Sequence, residues 1–492
     1  MMLLTFQLPP YAGHIVTAIY VLILIYTVIR ILLDTPSTPK TLGYLLLLFA
    51  LPILGIVIYY SLGINYRHHK STERGISAQE ELDAKYLKKM PDKTQDLLQV
   101  HGEEIGHFKR MVSFISGLQH EILSLNKFQL LVNGEEKFPE VLNTLNTAQN
   151  FIHMEYYDWE NDVRGNQIKE VLLNKVKQGV VVRVMYDDYA SKGIRHNIVK
   201  ELKKGGIQIY PKIKVKLAQF ANRMNHRDHR KLIIVDGIIG FVGGINISDR
   251  YDNSIDTGLY WRDTHVKITG QLAANFQRHF IVSWNSCQPN KLEFTPELFP
   301  VQDNSAADGI PGLAQVVAGG PIYPKSNIML SYFRIFSLAK EKLYVTNPYF
   351  IPSESIMNAL MQAAISGVDV RLMVPEKSDS AVVGAASKFY FGDLLNAGVR
   401  IFLYKKGFVH AKTVVADQRL SVVGTANMDI RSFDLNFEIM SVIYGREFAT
   451  QLEDVYLNDL KECREIILEE WKNKGILTRL TYSIARLVSS FL

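Results

Sequence analysis

A chain of 492 residues with 47% hydrophobic and 21% charged residues is a folded protein with room for about three domains of ordinary size, not a disordered one. Its formal net charge of +6 is modest, and fits resting against anionic lipid better than gripping a nucleic-acid backbone. The two cysteines, Cys287 and Cys463, lie far apart without metal-ligand spacing, which excludes a disulfide framework and a Cys/His zinc site and fits a reducing compartment.

Residues 12–33 are apolar apart from His14 and Arg30, and are long enough to cross a bilayer as a helix. Residues 42–63 carry no charge, and the short Pro-containing polar loop 34–40 separates the two runs. The expected structure is a two-span transmembrane hairpin over residues 1–66, anchoring the chain in the cell (inner) membrane. Arg67, Lys70, Arg74 and Lys85 follow the second run, against Arg30 and Lys40 beside the loop, so the positive-inside tendency places the rest of the chain in the cytoplasm. Residues 67–110 are charged and helix-favouring, and read as a juxtamembrane connector.

The remainder is written twice. Gly179-Val-Val-Val-Arg-Val-Met matches Gly367-Val-Asp-Val-Arg-Leu-Met, each after an amphipathic stretch (168–178 and 355–366) that follows a strand-like run (152–157 and 343–350). Gly206-Ile-Gln-Ile-Tyr then pairs with Gly398-Val-Arg-Ile-Phe as a helix end feeding a strand. The expected fold class is α/β, with two pseudo-symmetric halves at 111–287 and 321–474, each a β-sheet flanked by helices. The Pro-containing segment 288–320 reads as their linker. In 475–492, Ile476, Leu480, Ile484, Leu487, Val488 and Phe491 share one face of a helix, with Arg479 and Arg486 elsewhere. That pattern suits a membrane surface and packing on the core equally well.

Each half ends in the same motif. His229-Arg-Lys-Leu-Ile-Ile-Val-Asp236 and His410-Ala-Lys-Thr-Val-Val-Ala-Asp417 put Lys two and Asp seven residues after His, and Asn246 and Asn427 both follow their histidines by seventeen. One copy alone reads better as a core histidine with a snorkelling lysine; two copies with one spacing point to chemistry. Residues two apart on a strand share a face, so His229 projects with Lys231 and His410 with Lys412.

A neutral histidine attacks phosphorus near pH 7 and a protonated one acts as an acid. In-line displacement needs the two on opposite sides of the phosphorus, which two halves meeting face to face would provide. Lys231, Lys412, Asn246 and Asn427 would hold the non-bridging oxygens, and no divalent metal or other cofactor is required. Asp263 in the first half and Glu438 in the second are expected to orient the histidines. Asp236 and Asp417 belong either to the catalytic set or to the turn that follows each motif strand, and the sequence leaves both open.

The paired motifs resemble those of the phospholipase D superfamily. With the N-terminal apolar runs, Tyr260-Trp-Arg-Asp-Thr-His-Val-Lys, Asn347-Pro-Tyr-Phe-Ile-Pro, Gly407-Phe-Val-His-Ala-Lys and the basic tail, the chain is most similar to the bacterial cardiolipin synthases. Thr425 stands where the superfamily often has Ser and keeps a hydroxyl. The resemblance implies metal-independent phosphatidyl transfer between two phosphatidylglycerol molecules at the bilayer, giving cardiolipin and glycerol, with nucleic acid not expected as a partner. It implies that His229 forms a phosphohistidine while His410 serves as acid and then base, although the residues themselves leave the two roles interchangeable. A hydrolase giving phosphatidic acid, or less readily a phosphodiesterase acting on nucleic acid, would use the same pair with water as acceptor, and motifs do not report how well a site excludes water.

Overall fold

The computed structural model describes residues 12–35, 38–60, 81, 84–85, 92–213, 226–288, 290–300 and 307–489. The end of the second apolar run, Arg67, Lys70, Arg74 and Phe491 lie outside the described residues. The described part forms two compact units.

The first unit holds the N-terminal helices. Ala12–Asp34 is one continuous helix, and its stretch Gly13–Asp34 is long and apolar enough to cross a membrane. The second apolar run is broken: helices Thr38–Ala50 and Pro52–Ile58 meet at a bend at Leu51. Pro52 has no N–H to extend the preceding ladder and its ring crowds the turn before it, whereas a first-turn position suits it. One helix of membrane-crossing length is therefore present among the described residues, with a shorter apolar helix, Lys40–Ala50, after it.

The second unit is built on strands. The first half supplies β1 (Ser124–Val132), β2 (Phe151–Tyr156), β3 (Val181–Tyr186), β4 (Gln208–Pro211), β5 (Lys231–Val235), β6 (Ile239–Gly243), β7 (Trp261–Arg262) and β8 (Thr264–Gly270). The second supplies β9 (Ile310–Gly319), β10 (Lys342–Thr346), β11 (Phe350–Ile351), β12 (Asp369–Pro375), β13 (Arg400–Tyr404), β14 (Phe408–Val409), β15 (Thr413–Ala416), β16 (Leu420–Gly424), β17 (Met428–Asp429), β18 (Glu438–Tyr444) and β19 (Cys463–Glu465). Fifteen of them form one mixed sheet in the order β19-β13-β12-β10-β15-β16-β18-β9-β1-β8-β6-β5-β2-β3-β4. Outward from the central antiparallel pair β1 and β9, the first half runs β8, β6, β5, β2, β3, β4 and the second β18, β16, β15, β10, β12, β13. Strand order and direction repeat: β2, β3 and β4 are parallel neighbours, as are β10, β12 and β13.

The repeated glycines explain the repeated joints. Gly179, Gly206, Gly367 and Gly398 each follow a helix and take φ of 89°, 91°, 92° and 94°, a left-handed conformation that ends a helix at little cost only for Gly. Alternation along the strands then sorts side chains between layers. On β5, Ile233 and Val235 enter the first half's outer core, with Trp159, Ile168 and Leu172. Leu232 and Ile234 face a shared core with Val415, Val423, Ile439, Phe276 and Phe448, around helices Gln271–Cys287 and Arg446–Leu460.

Two expected boundaries move. The stretch read as linker contains β9, buried from Gly312 to Gly319 and paired with both β1 and β18 at the sheet centre. Its Pro311 and two glycines, Gly312 and Gly319, disguise it, and Pro311 is tolerated because it lies near the strand start where a missing N–H costs little. The stretch read as connector enters the fold before residue 110: Ile105 and Phe108 are fully buried, and with Met111, Val112 and Ile115 they join the core of the second half, not the first. Helix Lys109–Gln119, expected to open the first half, thus packs on the other one.

Candidate active site

The motif strands deliver their histidines to the seam between halves, and backbone pairing across the seam fixes them there. The His229 N–H donates to the carbonyl of Phe437 (3.0 Å), the residue before Glu438, and the His410 N–H donates to the carbonyl of Arg262 (2.7 Å), the residue before Asp263. The short parallel pair β7 and β14, from opposite halves, holds the second of these crossings. Each histidine therefore meets the carboxylate of the other half. His229 Nδ1 lies 3.1 Å and 3.0 Å from Oε2 and Oε1 of Glu438, and His410 Nδ1 lies 2.8 Å from Oδ2 of Asp263. An Nδ1–H held by a carboxylate leaves the Nε2 lone pair as the reactive position. No hydrogen bond to another described residue occupies Nε2 of either ring.

Lys231 and Lys412 flank the rings, each donating from Nζ to the backbone carbonyl of its own motif histidine. Both lysines are buried without a carboxylate within ion-pairing distance among the described residues. Burial lowers Lys231 to about 8 and Lys412 to about 7, with Glu438 and Asp263 opposing the shift. Burial, and next to it the neighbouring lysines, also lower the histidines: His229 to about 4 and His410 to about 3. Burial disfavours the charged carboxylates too, but His410 and Lys412 outweigh it at Asp263, and His229 and Lys231 at Glu438, so both stay below their usual range. The site thus holds two neutral rings, two ionised carboxylates and two lysines whose charge is set near neutral pH.

Asn246 and Asn427 sit at equivalent places, and the Oδ1 of each is buried with no hydrogen-bond partner. Asn246 Nδ2 points at the Tyr251 hydroxyl, 2.6 Å away. Turned over, the amide would accept the Tyr251 proton and aim its NH2 into the position of the orphan oxygen, the orientation that serves an anion.

Asp236 and Asp417 take no part in this cluster. They lie at the far ends of β5 and β15, at φ of 51° and 52°. Asp236 accepts the N–H groups of Gln149, Asn150 and Phe151 at 2.7, 2.7 and 2.8 Å; Asp417 accepts those of Lys340, Glu341 and Lys342 at 2.9, 2.8 and 2.9 Å. Their placement in the catalytic set gives way to a scaffold role: each ties the hairpin after the motif to the start of the neighbouring strand, β2 or β10.

Several neighbours escaped the sequence reading. Tyr157 packs edge-on to His229 with ring centroids 4.7 Å apart, while Tyr251, Trp261, Tyr349 and Phe408 surround His410 at 5.6, 5.5, 6.4 and 5.9 Å. Trp261, Tyr349 and Phe408 sit within the phrases flanking the motifs, which was the signal available for them. Lys137 is fully buried over Phe138 and Tyr156, donates to the Asn246 carbonyl at 3.4 Å, and is lowered to about 7 by burial, against the pull of Asp263. Nothing in its polar-looking helix marks it out. Among the described residues no group of three or more His, Cys, Asp and Glu could hold a metal ion.

The family model "Cardiolipin synthase, PLD-like domain" matches residues 141–280 and 332–460, one match in each half. The cardiolipin synthase of Alkalihalophilus pseudofirmus is 35% identical over 486 residues, covering 97% of this chain and 93% of that protein. The major cardiolipin synthase ClsA of Bacillus subtilis is 33% identical over 475 residues, covering 96% and 98%. In fold, the chain is similar to the crystal structure of phosphatidylserine synthase from Haemophilus influenzae, with a TM-score of 0.54 at 16% identity over 78% of this chain and 97% of that one. A family match in each half and relatives 33–35% identical over nearly the whole chain show that it belongs to the cardiolipin synthase family of phospholipase D-like enzymes.

Proposed function

We propose that this enzyme transfers the phosphatidyl group of one phosphatidylglycerol to the terminal glycerol hydroxyl of a second, forming cardiolipin and releasing glycerol. His229 Nε2 attacks phosphorus, the bond to the head-group glycerol oxygen breaks, and His410 protonates that oxygen as it leaves. The second glycerol hydroxyl then loses its proton to His410 and attacks the phosphohistidine, returning the electron pair to His229. The observation that carries this reading is the crossed pairing of each histidine with the other half's carboxylate, which fixes both Nε2 positions in one seam.

The low proton affinity of the buried His410 ring is compatible with an acid role. An incoming phosphodiester adds a negative charge beside the ring, favouring imidazolium, and also favours the charged forms of Lys231 and Lys412. Lys231, Lys412, Asn246 and Asn427 take the non-bridging oxygens, whose charge grows in the transition state. The chain is held in the cell membrane through Gly13–Asp34, with the broken second run completing a hairpin and the body on the cytoplasmic side.

The test is lipid mass spectrometry after the detergent-solubilised protein is incubated with phosphatidylglycerol and a metal chelator, beside His229→Ala and His410→Ala. Cardiolipin and glycerol from the wild type alone are expected. Phosphatidic acid as the main product would replace the transferase with a hydrolase, and full activity in either variant would remove the two-histidine mechanism.

A further inference from the structure

The helix Ile476–Ser489 is folded onto the body by its less apolar side. Ala485 packs with Ile351 and Ala386, the Arg486 guanidinium lies 4.3 Å from the Phe389 ring centre, and Tyr482 stacks on Trp471 at 5.9 Å. Its apolar stripe points the other way. Ile476, Leu477, Leu480, Ile484 and Leu487 are 82%, 77%, 53%, 53% and 60% exposed. At 100° per residue these five fall within about one quadrant of the helix, roughly opposite Ala485. A helix that met only water would bury this stripe, so something else covers it.

Charge and position identify the cover. From Trp471 to Leu492 the sequence holds Lys472, Lys474, Arg479 and Arg486 and no acidic residue. An exposed apolar stripe bordered by cations alone fits the boundary between acyl chains and anionic headgroups. The helix is also a short structural step from the chemistry. It packs on helix Ala381–Phe389, whose N-cap Ser380 follows Asp379. Asp379 accepts the hydroxyl proton of Tyr349, and Tyr349 stands edge-on to His410.

We infer that the outward face of helix Ile476–Ser489 docks on the anionic lipid surface from which the site draws its substrate, so that bilayer contact and the His410 side of the site are joined through helix Ala381–Phe389, Asp379 and Tyr349. This rests on the phosphatidyl-transfer reading.

The experiment uses the full chain reconstituted into vesicles of phosphatidylglycerol and phosphatidylcholine, with brominated acyl chains as a quencher. Leu480→Trp should add fluorescence that the brominated chains quench beyond the wild-type level. The double variant Leu480→Glu, Ile484→Glu should lose about tenfold in rate on vesicle substrate, since two apolar anchors become charges, and keep wild-type rate on a short-chain phosphatidylglycerol below its micelle concentration. Added fluorescence from Leu480→Trp that stays unquenched, or a double variant as fast as wild type on vesicles, overturns the inference; cross-linking through the stripe would then identify a second copy as the cover. A wild type that turns over neither lipid would defeat the transfer reading instead, while the quenching still decides the docking.

Discussion

The two halves reach the same histidine geometry with different parts. Behind His410 stands Asp263, and the residue beside that carboxylate is Gly244; behind His229 stands Glu438, and the equivalent neighbour is Thr425. A Cβ on Gly244 would lie 2.1 Å from Asp263 Oδ1, so the first half needs the space. In the second half the Thr425 hydroxyl fills that space and donates to Glu438 Oε2 at 2.5 Å. Surroundings diverge as well: four aromatic rings line His410 against one at His229, and the buried Lys137 sits on the Asp263 side alone among the described residues. A duplicated scaffold has kept its strand order and motif spacing while the pockets around the two rings became unlike. Unlike pockets suit two rings with unlike tasks.

The largest effects should come from the rings themselves. His229→Ala and His410→Ala should each lower turnover by on the order of 10⁴-fold or more, as removal of a reacting group does in other covalent mechanisms. The comparison sharpens with a substrate analogue whose leaving group needs no proton. Intact-protein mass spectrometry should then find a phosphatidyl adduct on His410→Ala and none on His229→Ala; the reverse outcome would exchange their roles.

Next come the carboxylates. Asp263→Asn should cost on the order of 10²- to 10⁴-fold in kcat with little change in KM, because the amide no longer holds the Nδ1–H tautomer of His410. Gly244→Ala should approach that loss by displacing Asp263, and should also lower stability by about 1–3 kcal/mol, read from thermal unfolding. Thr425→Gly should be milder in kcat, about fivefold, since the hydrogen bond it takes from Glu438 is worth about 1 kcal/mol, while loss of the hydroxyl that accepts the Ile439 N–H falls on stability and no side chain is forced to move. Equal losses from Gly244→Ala and Thr425→Gly would dissolve the distinction between halves.

The smallest effects are pH shifts. Lys231 and Lys412 lose charge near 8 and 7, so kcat/KM should fall above that range, and Lys412→Arg should carry the alkaline limb upward if a fixed charge suffices. For stability the sign follows from the histidines. They stay neutral in the fold down to about 4 and 3, whereas unfolded rings take up protons below their ordinary 6.5. Falling pH therefore favours the unfolded chain from about 6.5 down to about 4 for His229 and about 3 for His410, and these two rings add no pH dependence above that window. Denaturant midpoints between pH 4 and 8 check this, and His410→Gln should flatten the slope.

Much of this was legible in the sequence because it is local. The glycines that close helices, the alternation along β5 and β15 and the spacing from His229 to Asn246 and from His410 to Asn427 depend on residues a few positions apart. Periodicity and left-handed φ act at that range, and repetition made each signal count twice. The N-terminal segment was half legible: composition marks two apolar runs, but whether a chain bends before Pro52 is a backbone matter that hydropathy does not report.

What only the tertiary structure decided is which groups meet. Asp263 and Glu438 could be named as carboxylates downstream of their motifs, but their exchange across the seam depends on the Phe437 and Arg262 carbonyls catching the opposite histidine N–H. No sequence distance encodes that contact, since the partners lie in different halves. The same holds for β9, whose burial comes from β1 and β18 and not from its own pattern, and for Asp236 and Asp417, which share the motif with the histidines yet end at the other end of a strand. Burial does the rest. The lowered proton affinities of Lys231, Lys412, His229 and His410 come chiefly from exclusion of water by two halves closing on one seam, so the sequence determined which titratable groups are present and the fold decided their charge.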